Sequence, residues 1–358
     1  MSINLASKAS PKVLERFKLK SVVDGLFSSE YDWTGVHTVR VYSVNTLPLQ
    51  DYDKTLVNGT SRFGNLTEVA DTYQEMSVEK DKSFNGVIDK GNNTQQLQIK
   101  AAGKVLKRQT DEVLIPYRDM YDLNALAQGA GLMKVDSTAL SKNTIVEALM
   151  AASAEMSNRL VPMEGRVVYI GETLAIKLKL SDEILKLYGK TAEKVVVNGE
   201  LGKVAGMHLR VVPDVYMPKG VVFMIVKKNV AVSPTKIETM RVLNNQYIAD
   251  GAIVQGRLLH DCFVLGGRSD GIFVYSNNCA HAPSVSIANN NATITATNAT
   301  KVYYTLDGSD PKTSSERQEA AVTSNSATVQ NIPKGATLRV YSTRAGYLNS
   351  GVVNTVNQ

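Results

Sequence analysis

The chain has 358 residues, of which 43% are hydrophobic and 21% charged, and its formal net charge is +6. This balance is typical of a soluble globular protein with two or three domains, and the small positive excess alone does not predict a nucleic-acid reader. The sequence has no apolar run near the roughly 20 residues of a membrane helix and no export signal, and its two cysteines suit a reducing cytoplasm.

The first segment, residues 1–30, is polar and basic. After Pro11, the apolar residues Val13, Leu14 and Phe17 have the spacing of one helix face. The pattern predicts either a surface helix or an arm that binds a partner, such as a second subunit or DNA.

A long polar hairpin is predicted after Trp33. The run from Val36 to Ser43 alternates apolar and polar residues, which indicates a strand, and a second extended segment ends near Asp89. The stretch between them is rich in turns and has too few apolar residues to be stable alone. It is either a hairpin that lies on another molecule or a mobile surface hairpin of a monomer.

A long helix is predicted over residues 93–129. Asn93 or Thr94 is the candidate cap, and apolar residues follow at helical spacing. Pro116 is expected to end or kink this helix, and Gly129 is expected to follow its last turn.

Residues 141–160 form the clearest helix, because their apolar residues recur on one face and Thr144 with Glu147 has the spacing of a capping box. The run GRVVYIG then predicts a short buried strand. Ser181 is expected to cap a further helix that runs through Tyr188.

Five apolar runs between residues 204 and 275 predict strands of a compact sheet, because each is bounded by turn-forming residues. They read VAGMHLRVV, VVFMIVKK, IETMRVL, AIVQGRLLHDCFVL and GIFVY. The third run alternates as a half-buried strand does, with Ile237, Thr239 and Arg241 on one face and Glu238, Met240 and Val242 on the other.

The order of these elements resembles the major capsid proteins of tailed bacteriophages with the Hong Kong 97-type fold, over roughly residues 30–278. In the strand region the matching residues are Gly206, Val212, Pro213, Lys236, Glu238, Arg241, Asp250, Gly256, Arg257, Asp261, Phe263, Val264 and Leu265. Upstream, the matching residues are Leu49, Tyr52, Asp53, Ser83, Phe84, Ile88 and Asp89 in the hairpin, and Pro116 and Asp119 after the long helix.

The composition changes again after the segment SNNCAHAPS, residues 276–284. Short alternating runs with frequent turns predict a small all-β sandwich over residues 283–358. The string VYYTLDGSDP and the later RVYSTRAGYLNSGVV resemble the C-terminal module of chitobiase and β-hexosaminidase enzymes. That module carries none of the catalytic residues of those enzymes, so the resemblance implies an Ig-like fold.

Together the two resemblances imply an α+β capsid fold with an appended β-sandwich. The implied parts are an N-terminal arm over residues 1–30, an extended loop over about 45–90, a spine helix over about 93–129, an axial domain over about 130–230, and a peripheral domain. The function implied is a major capsid protein of a virion, assembled in the host cytoplasm. Its implied partners are copies of itself in pentamers and hexamers, scaffolding and portal proteins, and packaged double-stranded DNA.

Candidate assembly contacts follow from the same resemblance: Tyr52, Asp53, Lys54, Arg62, Phe63, Lys236, Glu238 and Arg241. The sandwich is expected to project outward on a linker near Asn277–Ala282 that proteases cleave. Tyr303 and Tyr304 are expected to alternate, one buried and one exposed, and the exposed ring is a candidate glycan contact.

The sequence predicts no catalytic, cofactor or metal site. The four histidines lack the spacing of a metal motif, and His260, Asp261 and Cys262 lie in a run typical of a buried strand. Two other functions fit the sequence: a glycan-binding adhesin or tail protein, and an encapsulin-like compartment that holds an enzyme cargo.

Overall fold

The structure is a computed structural model. It describes residues 20–31, 33, 38–44, 51–52, 54–55, 61–63, 68–69, 71–95, 101–182, 202–246 and 249–357. The basic segment before Lys20, the candidate contact Asp53 and the helix predicted to run through Tyr188 lie outside the described residues.

The body of the protein, up to Ser276, contains thirteen described strands. They are β1 (Thr38–Val44), β2 (Asp71–Ser77), β3 (Lys80–Asp89), β4 (Leu132–Val135), β5 (Arg166–Gly171), β6 (Lys203–Val204), β7 (Met207–Val212), β8 (Val221–Lys227), β9 (Ala231–Val232), β10 (Thr235–Gln246), β11 (Ala249–His260), β12 (Phe263–Val264) and β13 (Ile272–Ser276). All five runs between residues 204 and 275 therefore contain strands, as predicted.

Five α-helices are described: α1 (Lys90–Gln95), α2 (Ala102–Gln109), α3 (Ile115–Gln128), α4 (Ile145–Asn158) and α5 (Glu172–Lys179). A π-helical turn, Thr110–Leu114, joins α2 directly to α3. Short 3-10 turns cover Asp214–Tyr216 and Gly266–Gly271.

The predicted long helix is present from Ala102 to Gln128, but its regular winding is interrupted. Pro116 has no N–H to donate, and it lies just after the π-helical turn, where the regular hydrogen-bond ladder of the helix is already interrupted. Gly129 follows the last turn as predicted. The predicted caps are wrong, because Asn93 and Thr94 lie inside α1.

The helix predicted over residues 141–160 is confirmed as α4. Its capping box is absent: the Thr144 side chain makes no cap hydrogen bond, and its hydroxyl accepts instead from the Ser141 N–H at 3.0 Å. Helix α5 was not predicted, although Ala175 and Leu178 mark its buried face at a spacing of three.

A six-stranded mixed sheet forms the centre of the body, in the order β4-β13-β8-β5-β7-β6. Helices α4 and α5 cover one face, where they share a buried cluster with alternate residues of β5 and β8 such as Ile170 and Phe223. Helix α3 covers the other face, against the intervening residues such as Tyr169 and Met224. Because both faces are covered, all six residues of β5 are buried, which explains its continuous apolar run.

A second sheet, in the order β10-β11-β3, extends from this lobe. Strand β3 pairs antiparallel with β11 from Lys80 to Asp89, while β1 pairs separately with β2. These strands confirm the extended segments predicted on either side of the turn-rich hairpin. The alternation predicted for the third run is partial, since Glu238, Thr239 and Arg241 are all exposed.

The described part of the N-terminal segment packs on the body of its own chain. Val23 and Leu26 are buried in the cluster under α3. The Asp119 carboxylate of α3 accepts hydrogen bonds from the Ser21 hydroxyl at 2.7 Å and from the Val22 N–H at 2.9 Å.

The C-terminal region is a β-sandwich, as predicted. Its strands are β14 (Ser284–Ala288), β15 (Asn291–Thr295), β16 (Lys301–Thr305), β17 (Gln318–Ala321), β18 (Ser326–Val329), β19 (Thr337–Thr343) and β20 (Val353–Val356). They form two antiparallel sheets, β14-β15-β18 and β17-β16-β19-β20, around a separate apolar core.

The sandwich is docked on the body. Leu348 is 4% exposed and belongs to the apolar cluster of the body that lies under α3. The Lys312 ammonium donates to the carbonyls of Gln128 (3.1 Å), the last residue of α3, and Ala130 (2.5 Å), at a helix end that leaves carbonyls unpaired. The Val352 N–H adds a 2.9 Å hydrogen bond to the Gly131 carbonyl.

This docking leaves the predicted cleavable linker, residues 277–282, only partly accessible: four of its residues are exposed, but its centre is not. Cys279 and Ala280 are buried, and the Ala280 N–H donates to the Leu348 carbonyl at 2.9 Å. A protease requires an accessible extended segment, and here part of the linker is already paired with the sandwich.

We expect Leu348→Ala to loosen this docking. Removing most of a buried leucine costs about 2–5 kcal/mol of stability, so segment 277–282 should become sensitive to limited proteolysis in the variant and stay resistant in the wild type. The exposed Val356 offers the matched control, Val356→Ala, which should leave the wild-type pattern. Rapid cleavage of the wild type at this segment would contradict the prediction.

Candidate assembly surface

The extended loop carries an exposed aromatic pair. Tyr52 and Phe63 are 49% and 80% exposed, and their rings make an edge-to-face contact with centroids 5.1 Å apart. Adjacent exposed apolar side chains can form part of a patch that a partner covers. Lys54 and Arg62 lie beside them in the described part of the loop, so four of the five loop residues predicted as contacts are described.

A second pair of tyrosines lies on the strands that lead into the loop. Tyr42 on β1 is directly opposite Tyr73 on β2, and their ring centroids are 6.0 Å apart. The Arg40 guanidinium lies 5.3 Å from the centre of the Tyr73 ring and pairs with Glu75 at 3.1 Å. Local sequence patterns do not reveal this pair, although both residues lie in the predicted extended segments.

The other predicted contacts lie on β10, away from the loop residues in sequence. Lys236 lies at an irregularity in the pairing of β10 with β11, Glu238 is exposed, and the Arg241 Nε donates to the Gln255 side chain at 3.0 Å. Strand β10 is an edge of its three-stranded sheet. The edge therefore offers backbone groups and charged side chains to a neighbour.

The opposite edge of this sheet carries a bidentate ion pair. The Arg257 guanidinium on β11 contacts the Asp81 carboxylate on β3, with the shortest distance 2.6 Å. This hydrogen bond lowers the pKa of Asp81 below its usual range. Because the pair is exposed, it contributes little to stability.

Neither of the two candidate glycan contacts on the sandwich, Tyr303 and Tyr304, is fully exposed. Tyr303 and Tyr304 are both half-buried, which contradicts the expectation of one buried and one exposed ring. Tyr303 stacks on Tyr341 of the neighbouring strand with centroids 5.4 Å apart, while Tyr304 packs against the sandwich core and its hydroxyl contacts Gln318 at 2.7 Å. Cross-strand neighbours therefore cover both rings.

The region of His260 and Cys262 is buried and lacks the geometry of a thiol active site. The His260 ring is fully buried against the edges of Tyr117 and Tyr121, and neither ring nitrogen has a hydrogen-bond partner among the described residues. Burial raises the pKa of the Cys262 thiol well above its ordinary value, which disfavours the nucleophilic thiolate. The Asp261 Oδ1 accepts a 2.5 Å hydrogen bond from the Tyr121 hydroxyl.

The described residues contain no group of three or more His, Cys, Asp or Glu side chains placed to hold a metal ion. No helix among them is long and apolar enough to cross a membrane.

A buried carboxylate, Asp122, joins α3 to the segment between β9 and β10. The sequence patterns did not reveal it. Asp122 is fully buried and accepts a 3.1 Å hydrogen bond from the Ser233 hydroxyl, with the Arg118 Nε 3.8 Å away. Burial raises the pKa of Asp122 to about 7, although Arg118 and Ser233 lower it. Asp119 and Asp261 also face this group and raise its pKa further.

The titration of Asp122 predicts a pH dependence of stability. Its pKa is higher in the folded chain than in the unfolded chain, where it is near 3.8, so folding favours the protonated form. The stability that this preference contributes is present below pH 4 and is lost as the pH rises through about 7. In urea unfolding, Asp122→Asn should gain stability relative to the wild type between pH 4 and pH 7. A difference between the two proteins that stays constant across this range would contradict the assignment.

Comparisons with known proteins were consistent with both parts of the fold. Residues 292–356 match the model of a family described as Fn3 associated, which is compatible with an Ig-like sandwich. No curated protein matches the chain.

Three solved structures share the fold of the larger part of the chain. A chain from Mycobacterium phage Che8 has a TM-score of 0.63 and 18% identity, with 76% of this chain and 96% of that chain covered. A chain from the capsid of cyanophage P-SCSP1u has a TM-score of 0.61 and 15% identity, with 76% and 92% covered. A chain from the mature capsid of bacteriophage PhiM1 has a TM-score of 0.62 and 10% identity, with 77% and 92% covered. The larger part of this chain therefore has a phage capsid fold.

Proposed function

We propose that the chain is the major capsid protein of a tailed double-stranded DNA bacteriophage. The observation that carries the proposal is the fold likeness to chains from two phage capsids, which extends over 92% of each of them. A second support is the exposed aromatic pair Tyr52 and Phe63, which no part of the described chain covers. A shell subunit buries such residues against copies of itself, because assembly joins several interfaces on each subunit.

In this proposal each part of the chain has a place in the shell. Residues 1–30 form the arm, residues 45–90 lie across a neighbouring subunit, and the helical run from Ala102 to Gln128 is the spine helix. The lobe over about 130–230 meets its copies at the centre of pentamers and hexamers. The three-stranded sheet of β10, β11 and β3 belongs to the peripheral region, where its edge charges Lys236, Glu238 and Arg241 meet other subunits.

The sandwich, residues 283–358, lies on the outer surface in this arrangement, because a domain of this size would crowd DNA packed inside. The inner face contacts double-stranded DNA through phosphate charges without reading its sequence. Scaffolding and portal proteins are the further partners that a closed, filled shell requires. The chain would thus reside in the virion after assembly in the bacterial cytoplasm.

Electron microscopy of the purified full-length protein tests the proposal. We expect closed, regular shells, alone or with the scaffolding protein supplied by the same phage genome. A protein that stays monomeric at high concentration under both conditions would overturn the assignment. Shells that form in the native host but enclose a protein cargo instead of DNA would favour an encapsulin-like compartment and would also overturn it.

A further inference from the structure

A cleft exists where the sandwich meets the body. It lies between the β1–β2 pair on one side and the turn after β16 on the other, with Gly266 between them. Its volume of about 350 Å³ is within the range of roughly 300–1,000 Å³ typical of small-molecule sites. The term interdomain cleft denotes this space, whose key side chains are Tyr42, Tyr73, Asp310, Thr313, Ser314 and Arg339.

One wall of the interdomain cleft is aromatic. Tyr42 is 62% exposed and Tyr73 is 36% exposed, and their rings are inclined to each other by 48°. The Tyr73 ring is held by the Arg40 guanidinium, which the Glu75 carboxylate orients. Open tyrosine faces of this kind bind flat apolar surfaces while their hydroxyls remain free to form hydrogen bonds.

The opposite wall is polar and is built by a tight turn. The Asp310 Oδ1 accepts from the Lys312 N–H at 2.9 Å, and the Asp310 carbonyl accepts from the N–H groups of Thr313 (3.1 Å) and Ser314 (2.8 Å). Asp310 is 4% exposed, and its second carboxylate oxygen, Oδ2, has no hydrogen-bond partner among the described residues. A buried oxygen without a donor is costly, so a ligand hydroxyl would relieve that cost once the Asp310 side chain turns Oδ2 toward the cleft that it lines.

The charges around the interdomain cleft favour a neutral ligand. The Arg268 guanidinium pairs with Glu30 at 3.4 Å, and the Arg339 guanidinium donates to the Asn354 side chain at 2.9 Å. Both guanidinium groups are therefore already paired within the protein. Their positive charge disfavours binding of a cation. The Asp310 carboxylate disfavours an anion for the same electrostatic reason.

We propose that the interdomain cleft binds a neutral saccharide. One sugar ring would place its apolar C–H face on Tyr42 and Tyr73, and a hydroxyl would donate to the Asp310 carboxylate, aided by Thr313 and Ser314. A saccharide has an apolar ring face, which suits the aromatic wall, and many hydroxyl donors, which suit the polar wall. The site differs from the predicted contact at Tyr303 and Tyr304 and exists only because the sandwich is docked on the body.

Saturation-transfer NMR with the full-length protein tests this inference, with maltotriose, cellotriose and N,N′,N″-triacetylchitotriose as probes. We expect transfer to at least one probe. Tyr42→Ala and Asp310→Asn should weaken its binding about tenfold or more, whereas Tyr42→Phe, which keeps the ring, should retain it. Because Tyr42 is largely exposed, its replacement should leave the circular dichroism spectrum and melting temperature unchanged.

Tyr303→Ala is the control, because it removes a tyrosine of the sandwich that does not line the interdomain cleft. It should bind the probe as the wild type does. Absence of transfer to all three trisaccharides would overturn the inference. Binding that survives Tyr42→Ala but is lost in Tyr303→Ala would also overturn it, because the ligand would then lie on the sandwich sheet that contains Tyr303.

Discussion

Replacing Phe63 with aspartate is expected to abolish shell assembly while leaving the subunit folded. Phe63 is 80% exposed and contacts only Tyr52 among the aromatic rings of the described chain, so its loss removes little of the subunit's own packing. In an assembled shell the same position would be buried, and an unpaired carboxylate there would have to lose its water. Light scattering and negative-stain microscopy measure the loss of shells, and circular dichroism verifies the fold.

The matched control for this experiment is Val356→Asp. Val356 is also an exposed apolar residue, but it lies on β20 of the sandwich, away from the loop. This variant should assemble as the wild type does. If Phe63→Asp formed shells of normal yield, the extended loop would not lie in a subunit contact, and the proposed arrangement of residues 45–90 would be wrong.

Arg166→Leu is expected to produce the largest loss of stability within a single subunit. Arg166 is fully buried at the start of β5, and its guanidinium donates to the carbonyls of Ser153, Val161 and Pro162 at 2.6–3.1 Å. Its remaining hydrogen bonds go to the hydroxyls of two serines on α4, Ser153 and Ser157. The Arg166 side chain thus donates hydrogen bonds to carbonyls and hydroxyls at the end of α4, the helix that covers one face of the central sheet.

Leucine fills most of the space but removes the donor to the Val161 and Pro162 carbonyls, whereas the Ser153 carbonyl keeps the Ser157 hydroxyl at 3.0 Å. Each buried acceptor that loses its partner costs about 1–3 kcal/mol, so the free energy of unfolding should fall by at least about 2 kcal/mol. Arg166→Lys should give an intermediate loss, because the ammonium donates fewer hydrogen bonds in a different geometry. Urea unfolding of the unassembled subunit measures both variants. Equal stability of the leucine variant and the wild type would show that water replaces the guanidinium.

The sequence predicted best those elements whose burial is uniform. Strands β5, β8 and β13 are apolar on both sides because helices cover both faces of their sheet, and α4 has a continuous buried stripe. The helix caps were predicted poorly, because a residue such as Thr144 makes its hydrogen bonds to whichever backbone group the preceding turn presents. Helix α5 is short and has a narrow buried face, so its pattern carried little signal.

The contacts between distant segments could not be predicted from local patterns. Lys312 and Leu348 lie in turns of the sandwich that look like ordinary surface segments, and only the folded chain places them against the end of α3. Tyr42 and Tyr73 likewise become neighbours through strand pairing. The aromatic pair of Tyr52 and Phe63 lies within the predicted loop, but no local pattern specifies the edge-to-face contact between the two rings.

The position of Leu348 has a consequence for the order of events during synthesis. Domains of a growing polypeptide generally fold from the N-terminus onward as the ribosome releases them. The apolar cluster under α3, however, includes a leucine that is translated only after most of the sandwich. A nascent body would therefore remain incomplete until late in translation, which would delay premature association between subunits that are still being made.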